Sequence, residues 1–192
     1  MKLLLQLLIL AIIFTTLVNG QFVQLNYYNY QNDQSCNGEI ISTTFNREST
    51  CLDGTEYVCV GNEIQINYYK DANCTKGIFQ QLTQENGVCQ GALTFNCVDN
   101  YQFVDNSFIT IISESCNDWK NTPNSILSNP LNKCIINPSE NATIFTCTSD
   151  SITTSTYPSA TNCNGTPSNF TLTLPECDTE ITKDAYNYIC NQ

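Results

Sequence analysis

Twelve cysteines, 18 acidic side chains and 10 tyrosines are the residues of this 192-residue chain whose types could do chemistry, and no histidine accompanies them. A cysteine can attack as a thiolate, hold a metal or close a disulfide. Thiolate and serine nucleophiles work with a base, most often histidine. The missing histidine removes that base and the commonest metal ligand together. The cysteines stand at Cys36, Cys51, Cys59, Cys74, Cys89, Cys97, Cys116, Cys134, Cys147, Cys163, Cys177 and Cys190, an even number with no Cys-X-X-Cys among them. In an oxidising compartment that pattern is a disulfide framework, so no metal and no cofactor is expected.

Carboxylates alone suffice for one reaction class, glycoside hydrolysis by a pair of acids. Here the acids are scattered among turns. Glu176, Asp178, Glu180 and Asp184 gather near the end, and Asp99 and Asp105 flank the middle, without calcium-loop spacing. Solvated surface is the plainer reading, and no catalytic residue is assigned. The tyrosines recur just ahead of a unit's first cysteine: Tyr27, Tyr28 and Tyr30, then Tyr68 and Tyr69, then Tyr157. Exposed tyrosine on a rigid scaffold can stack on a sugar or anchor a protein contact. Tyr28, Tyr69 and Tyr157 are therefore the candidate ligand contacts, and packing on the neighbouring disulfide is the competing role. Strand alternation predicts that Tyr68 and Tyr69 divide between core and solvent.

The elements that carry these residues repeat. Taken in threes, the cysteines form four units, 36-51-59, 74-89-97, 116-134-147 and 163-177-190. A turn follows each first cysteine, as in Cys36-Asn37-Gly38 and Cys163-Asn164-Gly165, and an aromatic precedes each third, as in Tyr57, Phe95, Phe145 and Tyr188. Alternating β-branched and aromatic runs such as Ile64-Gln65-Ile66-Asn67-Tyr68, separated by Asn-Gly and Asp-Gly turns, predict strands. The expected fold is all-β: four three-stranded, three-cysteine repeats arranged as two disulfide-stabilised β domains. The best place for a short helix or insertion is the stretch from Cys116 to Pro130. Three cysteines per unit cannot all pair internally, so units must pair. Symmetry suggests first-to-second bridges, Cys36–Cys51, Cys74–Cys89, Cys116–Cys134 and Cys163–Cys177, with third cysteines joined as Cys59–Cys97 and Cys147–Cys190. The domains become 21–104 (units one and two) and 105–192 (units three and four), a size where bridges matter. One continuous domain of all four units is the alternative.

Lys2, the apolar run Leu3 to Val18 and the small residues ending at Gly20 predict a signal peptide over residues 1–20. The mature chain is then expected to be secreted, with no membrane span. The formal charge of −11 argues against nucleic acid and anionic membrane as partners. Asn141, Asn164 and Asn169 begin good glycosylation sequons; Asn73 has a cysteine in the middle of its sequon, and the one at Asn137 is blocked by Pro138.

The unit Tyr69, Asp71, Cys74, Gly77, Cys89, Phe95, Cys97, with an Asn-, Ile- and Thr-heavy composition, resembles secreted cysteine-rich repeat proteins of amoebal protists. The resemblance implies an extracellular glycoprotein and no activity. The expected role is non-enzymatic binding or structure outside the cell, with an extracellular protein or glycan as partner. A carbohydrate-binding module and a carboxylate-based glycoside hydrolase are the rivals.

Overall fold

The computed structural model describes residues 21–29, 35–117, 119–136, 141–158, 162–174, 176–178 and 184–192. The leader 1–20, Tyr30, Asp118, Asn137 and Glu180 lie outside them. The first half carries seven strands: β1 (Phe22–Tyr28), β2 (Ile40–Arg47), β3 (Thr55–Val60), β4 (Glu63–Tyr69), β5 (Ile78–Glu85), β6 (Cys89–Gln90) and β7 (Leu93–Val98). The second carries β8 (Ser107–Ser113), β9 (Pro123–Pro130), β10 (Ile135–Ile136), β11 (Ala142–Cys147), β12 (Ser151–Tyr157), β13 (Ser168–Thr173), β14 (Glu176–Asp178) and β15 (Ala185–Asn191). The protein is all-β, without a helix among the described residues.

A large sheet runs β14-β15-β8-β9-β2-β1-β7-β6, and β3-β4-β5 and β10-β11-β12-β13 form two smaller ones. The three strands of a cysteine unit do not lie side by side. The hairpin β1–β2 of the first unit takes β7, the third strand of the second unit, as its neighbour, while the hairpin β4–β5 takes β3 from the first. Third strands are thus exchanged between paired units. The two hairpins are otherwise alike. Both have a bulge at a tyrosine pair, Tyr27/Tyr28 and Tyr68/Tyr69. Cys36 (φ 56°) and Cys74 (φ 53°) both take the left-handed conformation. The Cys59 N–H donates to the Glu48 carboxylate, and the Cys97 N–H to the Asn86 carboxamide, each at 3.0 Å.

Strand exchange dictates the bridges. Because β7 runs beside β1, the first cysteine of one unit meets the second cysteine of its partner. The bridges are Cys36–Cys89, Cys51–Cys74, Cys116–Cys177 and Cys134–Cys163. The expected first-to-second bridges within a unit are therefore wrong. Cys59–Cys97 and Cys147–Cys190 join third cysteines as expected. All six bridges link partner units and none links the halves.

The stretch expected to hold a helix or insertion instead turns at 116–117 and 119–121 and enters β9. Pro123 and Pro130 sit at its two ends, where the missing N–H does least harm, and Ser125, Ile126 and Ser128 between them are buried. β9 pairs with β2 through Thr43↔Ser128, Thr44↔Leu127, Phe45↔Ile126 and Asn46↔Ser125, so the large sheet crosses from one half to the other. Its strand order reads alike from either edge once β8, β9, β15 and β14 replace β1, β2, β7 and β6. A pseudo-twofold axis perpendicular to the sheet therefore passes through the Thr44/Leu127 pair. The turns obey it too: Ser49 N–H donates to the Tyr57 carbonyl as Asn132 N–H does to that of Phe145.

Cross-strand neighbours share a face, which locates three apolar clusters. Val23, Leu25 and Phe95 meet Ile64 and Ile66 of the first small sheet. Phe108 meets Leu131 and Ile152 on the same face in the second half. On the opposite face Phe22 and Phe45 of the first half pack with Ile109, Ile111 and Ile126 of the second, against Trp119. Burying such side chains is worth about 1.5–3 kcal/mol each.

Candidate functional site

Both small sheets stand on one face of the large sheet, over its two wings, and the β2–β9 junction lies between them. Ser42, Thr44 and Asn46 of β2 and Ser125, Leu127 and Asn129 of β9 point to this face, as the register requires. Two clefts open there. The first, of about 680 Å³, is lined by Tyr27, Tyr28, Ile41, Ser42, Thr44, Gly91, Ala92, Leu93, Leu127, Asn129, Ile135 and Ile136. The second, of about 500 Å³, is lined by Cys51, Leu52, Asp53, Ala72, Asn73, Ile112, Asp184 and Tyr186.

The clefts are the two copies of one place. The pair Tyr27↔Leu93 of β1 and β7 corresponds to Ile112↔Tyr186 of β8 and β15. Ile135 and Ile136, which follow Cys134, correspond to Leu52 and Asp53, which follow Cys51. Each cleft therefore lies where the end of one half's first strand meets the short segment after the other half's second cysteine. Their linings differ in kind. The first is mostly aliphatic and aromatic, with neutral Ser42, Thr44 and Asn129 and no charged residue among the described ones, whereas the second brings in the carboxylates of Asp53 and Asp184.

Their floors differ as well. Beside the second cleft the Ser125 hydroxyl donates to the Asn46 carboxamide oxygen at 2.8 Å, and both residues are buried. The pseudo-equivalent pair beside the first cleft is Ser42 and Asn129. There the Ser42 hydroxyl donates to the Ser128 carbonyl at 3.3 Å, and no hydrogen bond to the Asn129 carboxamide is formed among the described residues. Tyr27 keeps 39% of its surface exposed at this cleft, and burial of the rest raises its pKa.

The turn Asp53-Gly54 closes one wall of the second cleft. The Gly54 N–H donates to the Ala72 carbonyl at 2.9 Å and its own carbonyl accepts from Tyr69 N–H at 2.7 Å. Gly54 has φ +79°, and a Cβ there would stand 3.0 Å from the Asp71 carbonyl oxygen.

Of the tyrosines expected to contact a ligand, Tyr28 lines the first cleft. Tyr69 donates to the Glu56 carboxylate at 2.8 Å, a bond that raises its pKa. Tyr157 is half-buried on β12 opposite Ala142. The three are not brought together. Tyr68 and Tyr69 are both half-buried, because the bulge between them breaks the alternation that would have divided them. Asp71 of the repeat motif holds the loop around Cys74: its carboxylate accepts from the Thr75 hydroxyl and the Lys76 N–H, each at 2.6 Å. These bonds, that of Thr75 first, lower its pKa. Asn141, Asn164 and Asn169 are all exposed.

Sequence reasoning did not find Asn129, Leu127, Ile135 or Ile136. Their signal is visible only once the halves are superposed, as an apolar pair after Cys134 where Leu52-Asp53 follows Cys51.

A further exposed feature lies at the edges. β5 has one neighbour, β4, and shows Ile78, Phe79 and Leu82 at 46, 60 and 37% exposure. Its counterpart β13 shows Phe170. No helix of the described residues is long and apolar enough to cross a membrane. Among known proteins, a family model described as counting factor-associated protein A/B/C matches residues 1–192. Neither a curated protein nor a solved structure matches the chain.

Proposed function

Because the chain belongs to the counting factor-associated protein A/B/C family, we propose that it is a secreted, glycosylated, non-enzymatic protein that works by binding a counting-factor partner outside the cell. Six bridges and the family fit an extracellular protein. The leader at 1–20 would direct export, and glycans would sit on the exposed Asn141, Asn164 and Asn169. With every cysteine bridged and no histidine in the chain, neither a thiol nor an imidazole is at hand for catalysis.

The observation that carries the reading is β5. An edge strand with unpaired backbone groups and an exposed apolar cluster is a template for pairing with another chain. A protein of net charge −11 that keeps Phe79 largely in water has a use for that surface. The other edge differs. β13 carries the sequon Asn169-Phe170-Thr171, so a glycan there would block pairing, whereas β5 carries no sequon.

Binding of the oxidised protein to purified counting factor, followed by surface plasmon resonance, tests this. Phe79→Asp, on β5, should weaken binding by about tenfold or more, a typical loss for an aromatic anchor. Phe170→Asp should leave it unchanged. Equal binding by wild type and Phe79→Asp would overturn the proposed surface.

A further inference from the structure

We propose that the first cleft is a binding site for a neutral small molecule with an apolar body and one hydrogen-bonding group. The inference goes beyond the protein partner proposed for β5 and uses a different part of the molecule.

The size fits, since about 680 Å³ lies within the range of small-molecule sites. The walls define the body of the ligand. Ile41, Leu93, Leu127, Ile135 and Ile136 are aliphatic, Tyr27 and Tyr28 add flat apolar area, and no charged side chain among the described residues lines the cleft. Such a lining disfavours an ion. Its polar side chains, Ser42, Thr44, Asn129 and the two tyrosines, are all neutral, and Ser42 already donates to the Ser128 carbonyl. The floor defines the polar group. The Asn129 carboxamide offers a donor and an acceptor that no described residue uses, whereas its pseudo-equivalent Asn46 is already bonded to Ser125.

The second cleft acts as an internal control. Both clefts arise from the same strand ends under the same pseudo-symmetry, so the scaffold does not demand an apolar lining. Where Ile136 stands in one, Asp53 stands in the other; where Gly91 stands in one, Asp184 stands in the other. Among the described residues the first cleft combines an uncharged lining with an unpaired amide, two properties that the scaffold shows it can do without.

N-Phenyl-1-naphthylamine, a neutral aromatic with a single N–H, is the probe. Titrated into the full oxidised protein, it should bind saturably at one site with enhanced fluorescence. Ile136→Asp copies the second cleft's residue into the first and should weaken binding by about tenfold or more, because a carboxylate there must be desolvated or must keep water in the cleft. Asn129→Leu removes the polar floor without adding charge and should weaken binding severalfold; it decides the matter if Ile136→Asp does not fold. Phe79→Asp should bind as wild type. No saturable binding, unchanged binding in both cleft variants, or loss confined to Phe79→Asp would overturn the proposal.

Discussion

Ile126→Ala should destabilise both halves at once. Ile126 is fully buried, with Phe45 of β2 opposite it on one side and Ile111 of β8 on the other. Phe22 and Phe45 in its cluster come from the first half, Ile109 and Ile111 from the second. The substitution deletes three carbons, worth about 0.8 kcal/mol each for transfer. The space they leave is walled by strands that cannot collapse freely, so the total should be about 3–4 kcal/mol, inside the range for such truncations. For a chain of this size that is a fall in Tm of about 10 °C. Trp119, the single tryptophan, packs against this cluster and reports its loss by fluorescence. Hydrogen exchange resolved by mass spectrometry reports each half separately. With bridges intact, both readouts should give one midpoint, lowered together in the variant. A shift below about 1 kcal/mol, or faster exchange confined to residues after 105, would refute the reasoning that the shared sheet and cluster make the halves one unfolding unit.

Two other perturbations test local claims. Tyr57 is pushed up to about 12 by burial first and then by Tyr27 and Tyr68. Its contribution is therefore fully present below pH of about 10 and lost as pH rises toward 12, at most about 2–3 kcal/mol; in Tyr57→Phe the alkaline fall in stability should be shallower, and an unchanged profile would show that Tyr57 is not its source. Gly54→Ala should cost about 2 kcal/mol or more, from the left-handed backbone and the approach to Asp71, and a Tm equal to wild type would show that the Asp53-Gly54 turn is not held as described.

Much of the fold was legible because its signals are local. Alternation in Ile64–Tyr68 and the aromatic before each third cysteine report strands directly, and those strands are present as β4, β3, β7, β11 and β15. The all-β class and the third-to-third bridges follow from the same pattern. What a strand pairs with is not local. β7 carries the same alternation whether it lies beside β5 or beside β1, so the exchange of third strands left no mark, and with it went the connectivity of the other four bridges. β9 was missed because Pro123 and Pro130 frame a run of Ser and Asn with little alternation, and only its place between β2 and β8 makes it a strand. The candidate clefts were illegible for a related reason: Tyr27, Leu93, Leu127 and Ile136 lie far apart in the chain, and they meet through the β2–β9 junction.

The crossed bridges also set an order of events during synthesis. Cys36, Cys51 and Cys59 have no native partner until Cys74 emerges, and Cys116, Cys134 and Cys147 have none until Cys163 does. In the meantime the nearest thiols in the nascent chain belong to the same unit, and shorter loops close more readily. Early oxidation therefore favours wrong pairs such as Cys36 with Cys51, which only thiol–disulfide exchange can undo. The finished set of bridges is then a record that a pair of units was complete before it was locked, and the yield of correctly folded protein should depend on the reshuffling capacity of the compartment that makes it.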